Sequence, residues 1–75
     1  MAHILTSLTP TKAIAIDEVG AVTYIGMAKV GTAPDVERWQ IRRITKTGNV
    51  TLFEYADLND RYDNVWDNRA SLVYG

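Results

Sequence analysis

Oxygen-bearing side chains are concentrated between positions 57 and 67 of this 75-residue chain: Asp57, Asn59, Asp60, Asp63 and Asp67. Calcium takes ligands of this kind. The spacing departs from an EF-hand loop, because Arg61 stands where a third oxygen donor belongs and Tyr62 where the glycine belongs. Asx residues also build loops by hydrogen-bonding their own backbone. We therefore expect segment 57–67 to make turns, with calcium as the open alternative, and we predict no cofactor.

Catalytic groups are few. His3 is the only histidine and there is no cysteine, so neither a Ser-His triad nor thiolate chemistry is indicated. Glu54 and Asp57 are the residues nearest to a hydrolase carboxylate pair, but such a pair needs a groove that a chain of this length rarely provides. No Gly-Lys-Ser/Thr follows Gly26 or Gly31, which argues against a phosphate loop. We predict that the protein is not an enzyme.

Basic residues surround one tryptophan, as on surfaces that stack and neutralise nucleic acid: Arg38, Arg42 and Arg43 around Trp39. Eight Lys and Arg against nine Asp and Glu give a net charge of −1, whereas a dedicated nucleic-acid binder is expected to be basic. A small nucleic-acid-binding or regulatory β-barrel therefore remains only an alternative. The apolar runs are too short to span a membrane, and the N-terminus lacks the features of a secretory signal. We expect no membrane partner.

The elements that must position these residues are short strands separated by turn signals. Strand patterns occur at 13–16, 22–30, 39–44, 50–55 and 70–74, and turn residues at 17–20 and 45–49 end or join them. The spacing of Tyr62, Val65 and Trp66 predicts one helical turn, capped by Asn59 or Asp60. The sequence predicts an all-β fold, a small antiparallel sandwich or barrel of about five short strands over residues 13–75, preceded by an extended arm at 1–12.

Three local features qualify that pattern. Gly26 interrupts a strand, which predicts a bulge or a close backbone approach. The strand 22–30 has no plainly polar face, which predicts cover on both sides. The Arg42-Arg43 pair would send one arginine inward under strict alternation, so a bulge is expected there.

Seven aromatic residues are more than a domain of this size is expected to bury, so we expect some to be exposed for assembly. The arm adds apolar residues that must lie against something, its own domain or a neighbour. The candidate interface residues are Ile4, Leu5, Leu8, Tyr24, Trp39, Arg42, Arg43 and Tyr74.

Three segments resemble a family of small structural proteins from tailed bacteriophages: TYIGMAK at 23–29, WQIRRI at 39–44 and YDNVWDNRASLVY at 62–74. The likeness spans about residues 15–75, and the last segment is the most specific. The resemblance implies a virion protein made in the host bacterial cytoplasm. Family members tend to have Ala-Asp-Gly where this chain has Ala56-Asp57-Leu58, and Leu58 argues against a left-handed residue there.

Within the closing segment, we expect Trp66, Asp67 and Arg69 to be structural anchors. Arg69 is predicted to tie the loop to Asp63 or Asp67, with Trp66 in the core. The resulting hypothesis is a non-enzymatic virion protein, first a capsid decoration or cement protein binding neighbouring capsid subunits. A tail, head-tail connector or fibre-attachment subunit is the alternative, and we expect a homo-oligomer in either case.

Overall fold

A computed structural model describes residues 12–75, which form one antiparallel sheet followed by a short helix. The strands are β1 (Lys12–Val19), β2 (Val22–Lys29), β3 (Glu37–Thr47), β4 (Val50–Tyr55) and β5 (Asn64–Val65). Their order is β1-β2-β3-β4, with β5 paired to β3. The all-β prediction is confirmed, but the sheet does not close into a barrel. Within these residues no helix is long and apolar enough to cross a bilayer.

The first hairpin is longer than the sequence predicts. Asp17 and Glu18, placed in a turn by their residue types, instead pair with Tyr24 and Thr23. The strand runs on to Val19, and Gly20, with φ at 58°, begins the reversal. A glycine with positive φ at the first turn position suits a two-residue hairpin. The chain therefore reverses at Gly20 and Ala21, after the acidic residues and not at them.

The register of β3 is regular through the two adjacent arginines, so the bulge predicted there is wrong. Arg42 pairs with Tyr55 and Arg43 with Glu54. The shift in β3 falls instead between Glu37 and Trp39, where it pairs with β5. Strict alternation turns Arg43 inward, and this is tolerated because Glu54 on β4 lies opposite to it and binds it.

After β5 the chain forms a 3₁₀ helix over Trp66–Ser71 and continues to Gly75; we call residues 66–75 the C-terminal segment. The helical turn predicted at 62–66 therefore begins later, and its N-cap is Val65, without a side-chain cap. The strand predicted at 70–74 is also wrong, since pairing is reduced to a bridge between Ala56 and Tyr74. The segment crosses the face of the sheet. Its alternating apolar residues therefore pack against the sheet instead of pairing with a neighbouring strand.

The core lies between the sheet and the C-terminal segment. Its buried apolar residues are Ala28, Trp39, Ile41, Ala56 and Trp66. The two indole rings lie 5.8 Å apart with a 38° interplanar angle. A Cβ on Gly26 would lie 2.5 Å from Trp66 Cε3 and 3.0 Å from Trp39 Cε3. Gly26 pairs regularly with Ala15 and Ile41, so it serves a close approach and not a bulge.

The turn after β4 contradicts the prediction made for Leu58. Both Asp57 (φ 57°) and Leu58 (φ 61°) adopt left-handed backbone. The Asp57 N–H donates to Val73 O at 2.7 Å, and Asn59 Nδ2 donates to Asp57 O at 2.9 Å. These bonds and the contact of Leu58 with Gly75 hold a conformation that a leucine disfavours in isolation.

Candidate interaction surface

Successive side chains of a strand alternate between the two faces of a sheet, and here the two faces differ in cover. The C-terminal segment lies over one, the covered face. On the opposite face Ile14, Ile16 and Phe53 are 63%, 61% and 64% exposed. On β2 itself Thr23, Ile25 and Met27 are half-buried on this face, so the cover predicted for both sides is partial within residues 12–75. We call this surface the open face, and its residues are Ile14, Ile16, Ile25, Arg42, Ile44, Phe53 and Tyr55.

The register aligns these residues in rows across the sheet. Ile16 is opposite Ile25, which is opposite Arg42. In the adjacent row Ile44 is opposite Phe53. Because directly opposite side chains touch, Ile16 with Ile25 and Ile44 with Phe53 form two apolar pairs on this face, with Arg42 between them.

Arg42 is the charged residue at the centre of the open face. Its Nη2 donates to Met27 Sδ at 3.4 Å and to Gln40 Oε1 at 3.2 Å, and its guanidinium lies 5.5 Å from the centre of the Tyr55 ring. Its Nε is shielded from solvent and has no hydrogen-bond partner within residues 12–75. Gln40 in turn donates to Asp60 O at 2.8 Å, so the segment after β4 shields that end of the face.

Arg43 points to the covered face, opposite to Arg42. It forms a 2.7 Å salt bridge with Glu54, and its guanidinium lies 4.6 Å from the centre of the Tyr74 ring. The two arginines therefore do not form a joint basic surface. Trp39 is also buried, so it offers no ring face on which a base could stack between these arginines.

Arg69 anchors the C-terminal segment, but to a different carboxylate from those predicted. Its Nε lies 3.0 Å from Asp17 Oδ2 on β1, and Nη1 donates to Trp66 O at 3.1 Å. The guanidinium also lies 4.5 Å from the centre of the Trp66 ring. Asp67 is exposed and contributes its backbone N–H, which donates to Pro34 O at 3.1 Å. Because the C-terminal segment crosses the sheet, Arg69 lies next to β1 and binds a carboxylate there instead of one in its own loop.

Tyr74 completes this anchor. Its hydroxyl donates to Arg69 O at 2.7 Å, and its ring lies 6.0 Å from that of Tyr24. Burial, reinforced by the neighbouring Tyr24 and opposed by Arg43 and Arg69, raises the pKa of Tyr74 from 10.0 to about 12. The neutral phenol is therefore favoured here, as its donated hydrogen bond requires.

The predicted interface residues separate into different environments. Trp39 is 4% exposed and donates from Nε1 to Ala33 O at 2.9 Å, so its placement at an interface is corrected to the core. Tyr24 and Tyr74 are half-buried against each other on the covered face. Arg42 lies on the open face. The predicted arm residues Ile4, Leu5 and Leu8 lie outside the described residues, and β1 begins at Lys12, the last position assigned to the arm.

Sequence reasoning missed the exposed isoleucines of β1. The segment Ala13-Ile14-Ala15-Ile16 alternates small and large apolar residues, and the structure turns the large ones outward. The signal was the small size of Ala13 and Ala15, which leaves room for an indole ring on the covered face. Exposed Val19, Val50 and Leu52 add a second apolar patch at the far end of that face.

The acidic segment forms turns. Asn59 Oδ1 accepts from the Arg61 N–H at 2.9 Å, an interaction within the loop itself. Within residues 12–75 there is no group of three or more metal-ligating side chains and no enclosed pocket.

Comparison with known proteins gives no match, since no family model, no curated protein and no solved structure is significantly similar to this chain.

Proposed function

We propose that this protein is a non-enzymatic structural subunit of a bacteriophage virion that acts by docking its open face onto other virion proteins. Capsid decoration is the first role, in which the subunit holds neighbouring capsid proteins together. A tail, connector or fibre-attachment position is the second. The observation that carries the assembly role is the exposure of Ile14, Ile16 and Phe53 on one face of the sheet.

The dimensions of the subunit suit such a role. Its extents are 47 × 29 × 20 Å, so its broad side can supply the roughly 800 Å² per partner of a stable interface. Large apolar side chains exposed together on one face mark surfaces that bind other proteins. Arg42 places a positive charge at the centre of the face, which would favour a partner surface that carries a carboxylate.

The virion setting is supported by the resemblance to phage structural proteins. Its three segments supply residues that pack on one another: Gly26 from the first, Trp39 from the second and Trp66 from the third. The segments that carry the likeness therefore supply buried residues of this fold. The resemblance thus supports the setting, and the open face supports the mode of action.

Mass spectrometry of purified particles of the phage that encodes this chain tests the setting. On the order of hundreds of copies per particle would support a capsid position, and about a dozen or fewer a tail or connector position, following the symmetry of each structure. Absence of the protein from the particles would overturn the proposal.

Substitutions on the open face test the mode of action. Ile16→Lys and Phe53→Lys alter exposed residues, so they should fold normally yet be lost from particles. Val73→Lys is the matched control, because Val73 is 67% exposed but lies in the C-terminal segment. Normal incorporation of both open-face variants would contradict docking through this face. Salt-dependent DNA binding by the parent protein would favour the nucleic-acid-binding alternative.

A further inference from the structure

The two edges of the sheet are not equally protected. At the β4 edge the end of the strand is covered, because Tyr55 exchanges backbone hydrogen bonds with Gly75 at 3.0 and 3.2 Å and Ala56 bridges to Tyr74. The outer side of residues 50–54 has no strand partner within residues 12–75. At the β1 edge, no strand within residues 12–75 pairs with the outer side of Lys12–Val19. This eight-residue edge contains no proline and no bulge. Long regular edges of this kind are templates for pairing with another chain.

The hairpin geometry fixes which backbone groups of β1 point outward. In a two-residue hairpin the pair flanking the turn, here Val19 and Val22, is a hydrogen-bonded pair, and such pairs alternate along the ladder. Ala21 O accepts from the Lys46 N–H at 3.0 Å, which agrees with odd-numbered residues of β2 facing β3. The outward N–H and C=O groups of β1 therefore belong to Lys12, Ile14, Ile16 and Glu18.

We infer that two copies of this chain pair antiparallel through β1, with the two-fold axis at Ala15. The inference rests on the proposed function in taking the protein to be an assembly subunit, and it names a second copy as a partner. In this register Lys12 lies opposite Glu18 of the second copy, and Ile14 lies opposite Ile16. Each contact occurs twice because the interface is two-fold symmetric.

Charge complementarity selects this register. Registers centred on an odd residue other than Ala15 shorten the overlap, and one centred on Asp17 sets two carboxylates against each other. An axis at Ile14 would place Lys12 against Ile16, and an axis at Ile16 would place Glu18 against Ile14. The Ala15 register alone matches opposite charges with each other and isoleucine with isoleucine, the combinations that stabilise cross-strand pairs.

The covered face accommodates the same arrangement. Ala13 lies opposite Asp17 of the second copy, so a small side chain faces the carboxylate that binds Arg69. A two-fold axis perpendicular to the sheet keeps the two open faces on the same side. Pairing therefore extends the apolar surface of one subunit directly into that of the next, with Ile14 and Ile16 of both copies at its centre.

Single-cysteine variants of the full chain test the register. The chain has no cysteine, so Ala15→Cys introduces one thiol at the proposed axis. Directly opposite residues in a non-hydrogen-bonded pair have Cα atoms about 4.5 Å apart, within disulfide range. We expect Ala15→Cys to oxidise to a covalent dimer. Ala13→Cys, the matched control on the same face, places its two thiols roughly four residues apart along the strand and should remain reduced.

Charge reversal tests the pairing energy by sedimentation. We expect Lys12→Glu or Glu18→Lys alone to raise the dimer Kd about tenfold, because two opposite-charge pairs become repulsive. The Lys12→Glu/Glu18→Lys double variant should return to the parent value. That rescue cannot come from the contact between Lys12 and the Tyr62 ring, which the double variant also lacks. Lys46→Glu, with the same charge change on β3, should have no effect.

Equal cross-linking of Ala13→Cys and Ala15→Cys, or a parent protein that stays monomeric up to millimolar concentration, would overturn the inference. So would a dimer whose Kd ignores the charge of Lys12 and Glu18. These outcomes leave docking through the open face untouched. Conversely, a protein that dimerises as described but is absent from particles would contradict the proposed function and not the pairing.

Discussion

Small residues on the covered face make room for the two tryptophan rings of the core. These small residues lie on β1 and β2 and pack against the core that contains Trp39 and Trp66: Ala13, Ala15, Gly26 and Ala28. An indole ring buries more apolar surface than the side chain of any aliphatic residue it displaces. The isoleucines of β1 are consequently turned to the open face.

Gly26→Ala should destabilise the protein by about 1–3 kcal/mol, because the added methyl overpacks the indole of Trp66. Urea denaturation measures the effect. In a Trp66→Phe background the same substitution should cost less, since the smaller ring leaves room, and this double-mutant cycle isolates the contact. An unchanged unfolding midpoint for Gly26→Ala would show that the close approach is not a constraint.

Leu58→Gly should stabilise the protein by about 1 kcal/mol, because a left-handed backbone conformation is costly for leucine and free for glycine. Leu52→Gly is the matched control, since Leu52 is also an exposed leucine but lies within β4. There the substitution should destabilise by about 0.5–1 kcal/mol. The same sign at both positions, in chemical denaturation, would contradict the role assigned to the turn.

Tyr74 makes stability depend on alkaline pH. Its pKa in the folded protein, about 12, lies above the ordinary value of 10.0, so its neutral form contributes stability below pH 10. That contribution is lost as the pH rises from 10 to 12, because the unfolded chain loses its proton first. Tyr74→Phe should flatten this decline, measured by urea denaturation across that range. An equally steep decline in the variant would assign it to other groups.

The positions of the strands are the most predictable feature of the fold, and which face of each strand is covered is the least predictable. Alternation located β4 and the hairpin it forms with β3, since both strands have a local period of two. At 13–16 and 22–30 both faces are apolar, so periodicity cannot say which one is covered. That choice depends on Trp66, which packs on Gly26 from forty residues away along the chain.

The C-terminal segment shows the same limit. Its alternation at 70–74 fits a strand, but the segment is held by Arg69 and Tyr74 as it crosses the sheet. The partner carboxylate, Asp17, lies 52 residues earlier, and spacing within the loop pointed to nearer acids instead. The same long-range packing explains why two large aromatic residues predicted at an interface are placed differently. Trp39 packs against Trp66, and Tyr74 donates to Arg69 O, so both hold the C-terminal segment in place.

Arg69→Lys should detach this element in part and cost about 1–2 kcal/mol, because an ammonium cannot reproduce the paired contacts to Asp17 and Trp66 O. Urea denaturation of the single variant, of Asp17→Asn and of the double variant gives the coupling. Equal losses for Arg69→Lys in both backgrounds would show that the salt bridge does not stabilise the segment.

At the scale of the whole molecule, the described residues form one sheet with cover on one side only. A single sheet covered on one side buries little apolar surface, and the pairing proposed above would add to its stability by mass action. The composition predicts more apolar surface than the domain can bury, and the prediction places the exposed part on aromatic residues. In the structure the exposed large apolar residues are mostly aliphatic.

The thermal midpoint should therefore rise with protein concentration across roughly a hundredfold range. Differential scanning calorimetry of the parent protein and of Lys12→Glu compares paired and weakened subunits at matched concentrations. The rise should be smaller in Lys12→Glu. A midpoint independent of concentration in the parent protein would show that the subunit reaches its full stability alone.

The order of elements along the chain also bears on biosynthesis. All of β1 to β4 leaves the ribosome before Trp66 does, so the nascent sheet carries two uncovered apolar sides until the C-terminal segment emerges. Emergence of the C-terminal segment, and not the completion of the hairpins, is then the step that closes the interior. A chain truncated within residues 56–65 would keep both sides of the sheet uncovered and should aggregate or bind chaperones.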